Sequence, residues 1–529
     1  MKEILSYTHI SRALMAVCLL AAYACQKAPG IGEDPYAGGK EPFGISFLKE
    51  YSDPEVALPG ETVTFFVKGL KQYEGKFQFA INNNPVEIIN TTDSTIQVVV
   101  PDKISSGAAM VIMENQFFNG PILYIEGNVS VDDNFDIPNG FNGSVSDILP
   151  QAGGNIVAGN FTDFENEASA SVFRNGLHYI NSLGKSDGAI NFQRGTGWVN
   201  NIVRQGNKFI AVGAFSTFNR REASNIVRLN TNGSLDSVVV DVLNPTPERP
   251  ENNKDTVSAF NGGALGQISH VFPVADNKLI AVGSFRFHTR IDYRFSSRET
   301  RRQVFTPVRH ILRFEEDGSL DSAYMMNNAG GNGNITGAVL QEDDKVVLAG
   351  DFTSFNGTSA NRIVRLDTDG NIDPSFAVGS GADGDIFSIQ YNKNQEKMII
   401  TGRFSSFNGV PVNGVVVLDK NGNIDPTFQL RPMHEEAFVW FGHILDSGKI
   451  ILSGSIILYD DVPRSSLLIL NPDGSAEQKY NNIGRFSGDV RKVVETTSSL
   501  GNPAVLLGGR IFQVERKMVG NIVKLEIKD

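Results

Sequence analysis

The sequence predicts an all-β chain: a small antiparallel sandwich followed by a seven-bladed β-propeller. Three observations predict it. Short runs alternate apolar and polar residues with a period of two, as Val63, Phe65 and Val67 do within TVTFFV, and no helical period competes. Seven segments recur around a strand that ends in glycine, at Gly159, Gly213, Gly283, Gly350, Gly402, Gly454 and Gly509. The seventh segment lacks its last strand, and a stretch ahead of the first segment supplies a match for it. A length of 529 residues excludes a single small module, and 41% hydrophobic against 20% charged residues excludes a disordered chain.

The chain opens with Lys2 and Arg12, followed by an apolar run over 13–22 (ALMAVCLLAA) and then Tyr23, Ala24 and Cys25. A basic start, a short apolar core and a small residue before the cut predict a signal peptide over 1–24. Its apolar run is too short for a hydrocarbon core about 30 Å thick. Ala22-Tyr23-Ala24-Cys25 resembles a bacterial lipobox, with alanine where leucine is usual at the first position. That resemblance implies cleavage before Cys25 and its acylation, so the membrane would be reached by a lipid anchor only. Cys18 would leave with the leader, and one modified cysteine cannot form an internal disulfide or a thiolate metal site. Residues 25–42, rich in Gly, Pro and polar side chains, read as a flexible tether.

Over 43–127, alternating runs (TVTFFV, KFQFA, TIQVVV, AAMVIM) are separated by turn residues, the pattern of a small sandwich. LPGETVTFFVKGL, followed by NNNPVEIINTTDSTIQVVVPDKISSGAAMVIM, resembles the immunoglobulin-like IPT/TIG domains. Those commonly act as spacers in surface lipoproteins.

Residues 128–529 carry the repeats. Their glycines are separated by 54, 70, 67, 52, 52 and 55 residues, so the basic unit is close to 52 residues with two insertions. Each unit continues into a strand and an Asn-Gly or Asp-Gly turn, as in IVRLNTNGSLD from Ile226 and IVRLDTDGNIDPSF from Ile363. Such dipeptides supply the positive φ of tight hairpins. Four strands per unit around an axis make a propeller. The Gly-x-Phe strand followed by RLxxDGxxDxxF resembles the delta-60 propeller repeat of bacterial secreted proteins. Closure is expected from 128–136, which is to pair with the C-terminal blade because Val-Asp-Asp-Asn-Phe at 131–135 matches IDPSF at 372–376.

The added length falls at 243–263 and 286–309, two neighbouring connections on one face, where a partner would dock. In FRFHTRIDYRFSSRETRRQVFTPVRH, Phe285, Phe287, Ile291, Tyr293 and Phe295 alternate with Arg286, His288, Arg290 and Arg294. A hairpin with one basic and one apolar face is expected, and Arg301 and Arg302 add charge. Candidate ligand residues are therefore Arg286, Arg290, Tyr293, Arg294, Arg301 and Arg302, since guanidinium forks suit carboxylate, sulfate or phosphate and aromatics stack on rings. An arm whose arginines pair with local acids is the alternative. Trp198 and Trp440 fall at the start of inner strands near the channel mouth, either as open sugar-stacking platforms or as buried plugs.

The seven histidines show no HExxH and no paired metal spacing, and no nucleophile-elbow motif occurs. Asp367-Thr368-Asp369-Gly370 has its glycine too early for an EF-hand and reads as a hairpin turn. No catalytic residue, metal or cofactor is expected. A net charge of -12 opposes nucleic acid. The first expectation is a non-enzymatic cell-surface lipoprotein whose propeller binds a glycan in support of nutrient capture. Resemblance to Bacteroidetes-type surface proteins implies an outer-membrane location beside importers. The alternatives are a propeller glycosidase or polysaccharide lyase, and a protein-protein interaction platform in which the 286–309 hairpin docks a surface protein partner.

Overall fold

A computed structural model describes residues 43–169, 172–324 and 329–528. The leader 1–24, Cys25 and the tether 25–42 lie outside the described residues.

The first unit is a sandwich. One sheet orders Ser46–Asp53, Thr62–Lys68, Thr95–Val99 and Glu87–Thr91; the other orders Val56–Ala57, Gln116–Ile125, Gly107–Met113, Gln78–Ile81 and Asn84–Pro85. Val63, Phe65 and Val67 are fully buried while Thr64 and Phe66 between them are only half-buried, so the period of two turns one face inward. Ile96 and Val98 do the same from the neighbouring strand, and the rings of Phe65 and Phe79 lie 5.0 Å apart in the core. Each such side chain removed from water stabilises the unit by about 1.5–3 kcal/mol.

Among the described residues, seven further sheets of three or more strands follow in chain order, here blades 1 to 7. Each runs inner, middle and third strand, antiparallel, from Val145–Gln151, Gly154–Gly159 and Leu177–Asn181 in blade 1 to Phe486–Thr497, Pro503–Val514 and Ile522–Ile527 in blade 7. Neighbouring blades share cores, for example Val339 and Val347 of blade 4 with Ile389 and Met398 of blade 5. Leu506 and Ile522 of blade 7 pack on Val145 and Ile148 of blade 1, so the ring is closed. Val129–Val131 pairs antiparallel with Ile522–Ile527, Val129 facing Ile527 and Val131 facing Leu525, and gives blade 7 a fourth strand.

Elsewhere the expectation of four strands is corrected. In blades 2 to 5 the segment after the turn touches the third strand at a single bridge: Leu229 with Leu235, Phe314 with Leu320, Leu366 with Ile372 and Leu418 with Ile424. The aspartate that follows explains why the ladder ends there. Asp373 accepts hydrogen bonds from Arg365 Nε at 3.0 Å and from the Ser375 N–H at 2.9 Å, with Lys345 Nζ at 3.1 Å, so its side chain grips the blade in place of a backbone ladder. Asp236 and Asp321 repeat the grip on Arg228 and Arg313, each at 2.7 Å. The turn before it is held locally, since the Asp367 carboxylate accepts from the N–H groups of Asp369 and Asn371 and Gly370 sits at φ +84. The Asn-Gly of SFNG makes a second, smaller hairpin between middle and third strands, pairing Ser354–Phe355 with Thr358–Ser359.

The two insertions form hairpins, Ser237–Asp241 with Lys254–Ser258 and Leu279–Ile291 with Gln303–Pro307. They are tied to each other: the Leu243 N–H donates to Ser296 O at 2.8 Å, and Arg298 donates to Glu251 O at 2.6 Å and Lys254 O at 2.7 Å.

Candidate functional site

Every inner strand carries a register shift at one equivalent place, and those of blades 3 and 7 carry a second. The extra residue is Ser146, Asn200, Ser269, Thr336, Phe387, Trp440 or Arg491 in blades 1 to 7, directly after the residue paired with the repeat's glycine. A bulge interrupts the ladder, and neighbouring blades satisfy the groups around it. Asn200 Nδ2 donates to Ile268 O at 2.7 Å, Thr336 Oγ1 to Ile386 O at 2.8 Å and Thr401 Oγ1 to Trp440 O at 3.1 Å. In the other direction, the N–H groups of Ile202, Val271 and Val490 donate to the side chains of Asp147, Asn201 and Ser453. The bulges therefore staple blade to blade and turn one extra side chain per blade to the axis.

All seven extra side chains line one cavity of about 590 Å³ at the channel mouth. Blades 1 to 4 contribute hydroxyls and an amide, blades 5 and 6 contribute Phe387 and Trp440, and blade 7 contributes Arg491. Trp198 lines the same cavity from blade 2. Three blades separate the tryptophans on one side and two on the other, so they approach the cavity from opposite parts of the ring. Both are open, Trp198 at 38% and Trp440 at 42% exposure, so neither ring is a buried plug. Phe387 lies 4.9 Å from Trp440 and Phe438 meets it edge-on at 4.5 Å, fixing that ring as a wall.

Among the described lining residues, Asp489 is the only carboxylate. It is held by two arginines, Arg491 Nε at 3.1 Å and Arg510 Nε at 3.3 Å. The channel wall below carries the Lys492–Asp147 ion pair at 2.8 Å. Burial pushes His270 and His443 down to about 4, so both are neutral imidazoles near neutral pH, each with an Nδ1 that has no hydrogen-bond partner. Among the described residues no cluster of His, Cys, Asp or Glu is arranged to hold a metal ion.

The arm forms a separate cavity of about 570 Å³, lined by Arg220, Arg221, Glu222, Asp255, Tyr293, Arg298 and Arg301 among others, none of them shared with the first. Its arginines largely find local partners. Arg301 bonds Asp255 and, at 3.0 Å, Glu222; Arg294 meets Asp292 through two nitrogens at 2.9 and 2.8 Å; Arg302 lies over the Phe295 ring at 4.8 Å. Arg286 and Arg290 are exposed. Burial pushes the Tyr293 hydroxyl up to about 12. The expected basic and apolar faces are corrected: Phe285 and His288 are both buried, because the pairing shifts register between Leu265 and Gly266 opposite them. His288 Nε2 donates to Gly318 O at 3.1 Å inside the blade. Tyr293 and Arg294 lie in a 3-10 turn, Tyr293–Phe295, beyond the strand. The candidate residues thus fall into two sites, the tryptophans at the axis and the arm residues at the periphery.

Sequence reading missed Phe387, Asp489, Arg491 and Arg510. Counting back from each glycine slips by one or more residues because the turns between inner and middle strands differ in length. Trp198 precedes the residue paired with its glycine, whereas Trp440 follows it.

An all-β chain whose larger part is a β-propeller is thereby defined. Residues 207–237, 341–376 and 397–428 match a family described as a domain of unknown function (DUF5122) beta-propeller. Residues 19–121 match a second, described as a domain of unknown function (DUF5008). No curated protein matches the sequence. Similar solved structures include a structural genomics protein of unknown function from Bacteroides thetaiotaomicron, at 10% identity and TM-score 0.24, covering 91% of this chain and 98% of that one. An auxiliary nutrient binding protein from Bacteroides ovatus aligns at 9% identity and TM-score 0.27, covering 92% and 98%. YCF48 from Cyanidioschyzon merolae aligns at 11% identity and TM-score 0.36, covering 76% and 98%.

Proposed function

We propose that the protein is a non-enzymatic binding protein that holds a glycan in the mouth of the propeller channel. One observation carries this reading: two open tryptophans, from blades 2 and 6, line a single cavity whose remaining wall is rich in hydrogen-bonding side chains. Apolar ring faces take the C–H face of a sugar while hydroxyl and amide groups around them take its hydroxyls. Glycoside hydrolysis in its usual form needs two carboxylates about 5–10 Å apart, whereas Asp489 lines the cavity already gripped by two arginines. The remainder of the proposal follows from the sequence. An acylated Cys25 anchors the chain to the outer membrane, the IPT/TIG-like sandwich spaces the propeller from it, and the delta-60-type propeller captures nutrient glycan at the cell surface.

Titration of the protein with a panel of oligosaccharides, followed by calorimetry and by tryptophan fluorescence, tests the reading. Binding of at least one oligosaccharide is expected, weakened about tenfold or more by Trp440→Ala. A properly folded protein that binds none of the panel would count against it. A second reading, an acidic protein docked on the arm, is favoured by exposed Arg286 and Arg290 beside exposed Val304 and Phe305 on Gln303–Pro307. It predicts binding that falls with salt and is insensitive to Trp440→Ala.

A further inference from the structure

The charges at the channel mouth are not balanced, and their geometry is specific. Asp489 is the cross-strand partner of Arg510 and lies two residues before Arg491. In each ion pair the nitrogen nearest the carboxylate is Nε, at 3.1 and 3.3 Å. Among the described residues the one hydrogen bond made by either guanidinium runs from Arg491 Nε to Asp489 Oδ2. Two guanidinium groups therefore share one carboxylate, and their side chains stay 42% and 61% exposed. One positive charge remains in excess. The nearby Lys492 does not add to it, because Asp147 neutralises it, and neither does the neutral His270.

From this we infer that the glycan taken at the channel mouth is an acidic one, its carboxylate or sulfate held by the paired forks of Arg491 and Arg510 while its ring packs on the aromatic wall of Trp440 and Phe387. The inference rests on the glycan reading above and names the ligand class. Guanidinium forks match planar or tetrahedral oxyanions through two parallel N–H donors, and such charge-assisted bonds are roughly twice as strong as neutral ones. Asp489 supplies what a flexible arginine lacks, a fixed starting orientation, so less side-chain freedom is lost on binding. A chain of net charge -12 repels a polyanion at long range, so recognition depends on this local excess and on the contact itself.

Three probes test it by calorimetry on the intact protein: an oligogalacturonide, the same oligomer as its neutral methyl ester, and a sulfated galactan oligomer. At least one charged oligomer should bind about tenfold or more tighter than the methyl ester at low salt, and added NaCl should shrink the gap. Which charged oligomer wins names the group, carboxylate or sulfate. Arg510→Gln and Arg491→Gln should each narrow the gap by about tenfold, with circular dichroism verifying the fold of both variants. Equal binding of the ester and both charged oligomers overturns the inference and leaves the glycan reading standing. A preference for charge that survives both substitutions also overturns it. Failure of all three oligomers to bind removes the inference, and the glycan reading then stands or falls on the neutral oligosaccharides of the panel.

Discussion

The RLxxDGxxD signature of the repeat is, at the level of residues, an ion-pair device. Arg365 and Asp373 are both buried, at 4% and 7% side-chain exposure, and Lys345 closes the set. Removing one member leaves the other charges uncompensated in a site that water reaches poorly, so Asp373→Asn should lower stability by about 3 kcal/mol or more in chemical denaturation. A loss under 1 kcal/mol would show that the grip is ornamental. The same device sets an acid limit. Burial works to raise the Asp321 carboxyl, but hydrogen bonds from Lys278 and Arg313 outweigh it and hold the group at about 2. A carboxyl depressed in the folded state stabilises above its ordinary value near 4, and that stability is lost as pH falls through its folded value. Acid unfolding between about pH 4 and 2 should therefore be less steep in Asp321→Asn than in the unaltered protein. The motif residues were legible as a repeat; their pairing was not, because an arginine and an aspartate eight positions apart meet only after the hairpin has turned.

At the level of elements, the inner strand with its bulge is the unit that builds the site. Asn201 shows how: its amide donates to Asp147 Oδ2 of blade 1 at 2.7 Å and its carbonyl oxygen accepts from the Val271 N–H of blade 3 at 2.9 Å, so one side chain spans three blades. Asn201→Ala would orphan a buried backbone donor and weaken the seat of the bulge beside Trp198, at a cost of about 1–3 kcal/mol. A lowered melting temperature with an altered tryptophan emission spectrum is expected; an unchanged melt would refute the staple. Alternation and the closing glycine made the middle strand of the repeat readable in the sequence, and the inner strand only by counting back from it. The bulge was not readable, since one inserted residue leaves the local composition untouched while it shifts every later side chain to the other face. The same slip hid the fate of His288, which the alternation of the arm put on the basic face and the register between Leu265 and Gly266 puts inside the blade.

For the whole molecule, the seam between blade 7 and the segment ahead of blade 1 decides whether the ring holds. The match of 131–135 to a repeat segment made the seam legible, because an outer strand is defined by the strand it completes. What the sequence did not disclose is how the seam also joins the two units: Ser105 Oγ donates to Asn481 O at 2.7 Å, and the Asn482 side chain bonds the backbone of Val129. Val129 and Val131 pair with the last strand, while Phe135 and Ile137 pack into the core shared by blades 1 and 7. Two shortened chains separate these contributions. A chain starting at residue 128 keeps the closing strand and loses only the sandwich, so it should remain monomeric with a cooperative melt. A chain starting at residue 137 loses the strand and Phe135, each buried aromatic of that kind accounting for about 1.5–3 kcal/mol. It also bares the edge of Ile522–Ile527, an unpaired strand ready to take another chain. That chain should melt several degrees lower and self-associate in size-exclusion chromatography. Equal melting temperatures and a monomeric profile for both would mean that the ring is held by the packing of blade 7 on blade 1, and that the strand ahead of it serves only to seat the sandwich.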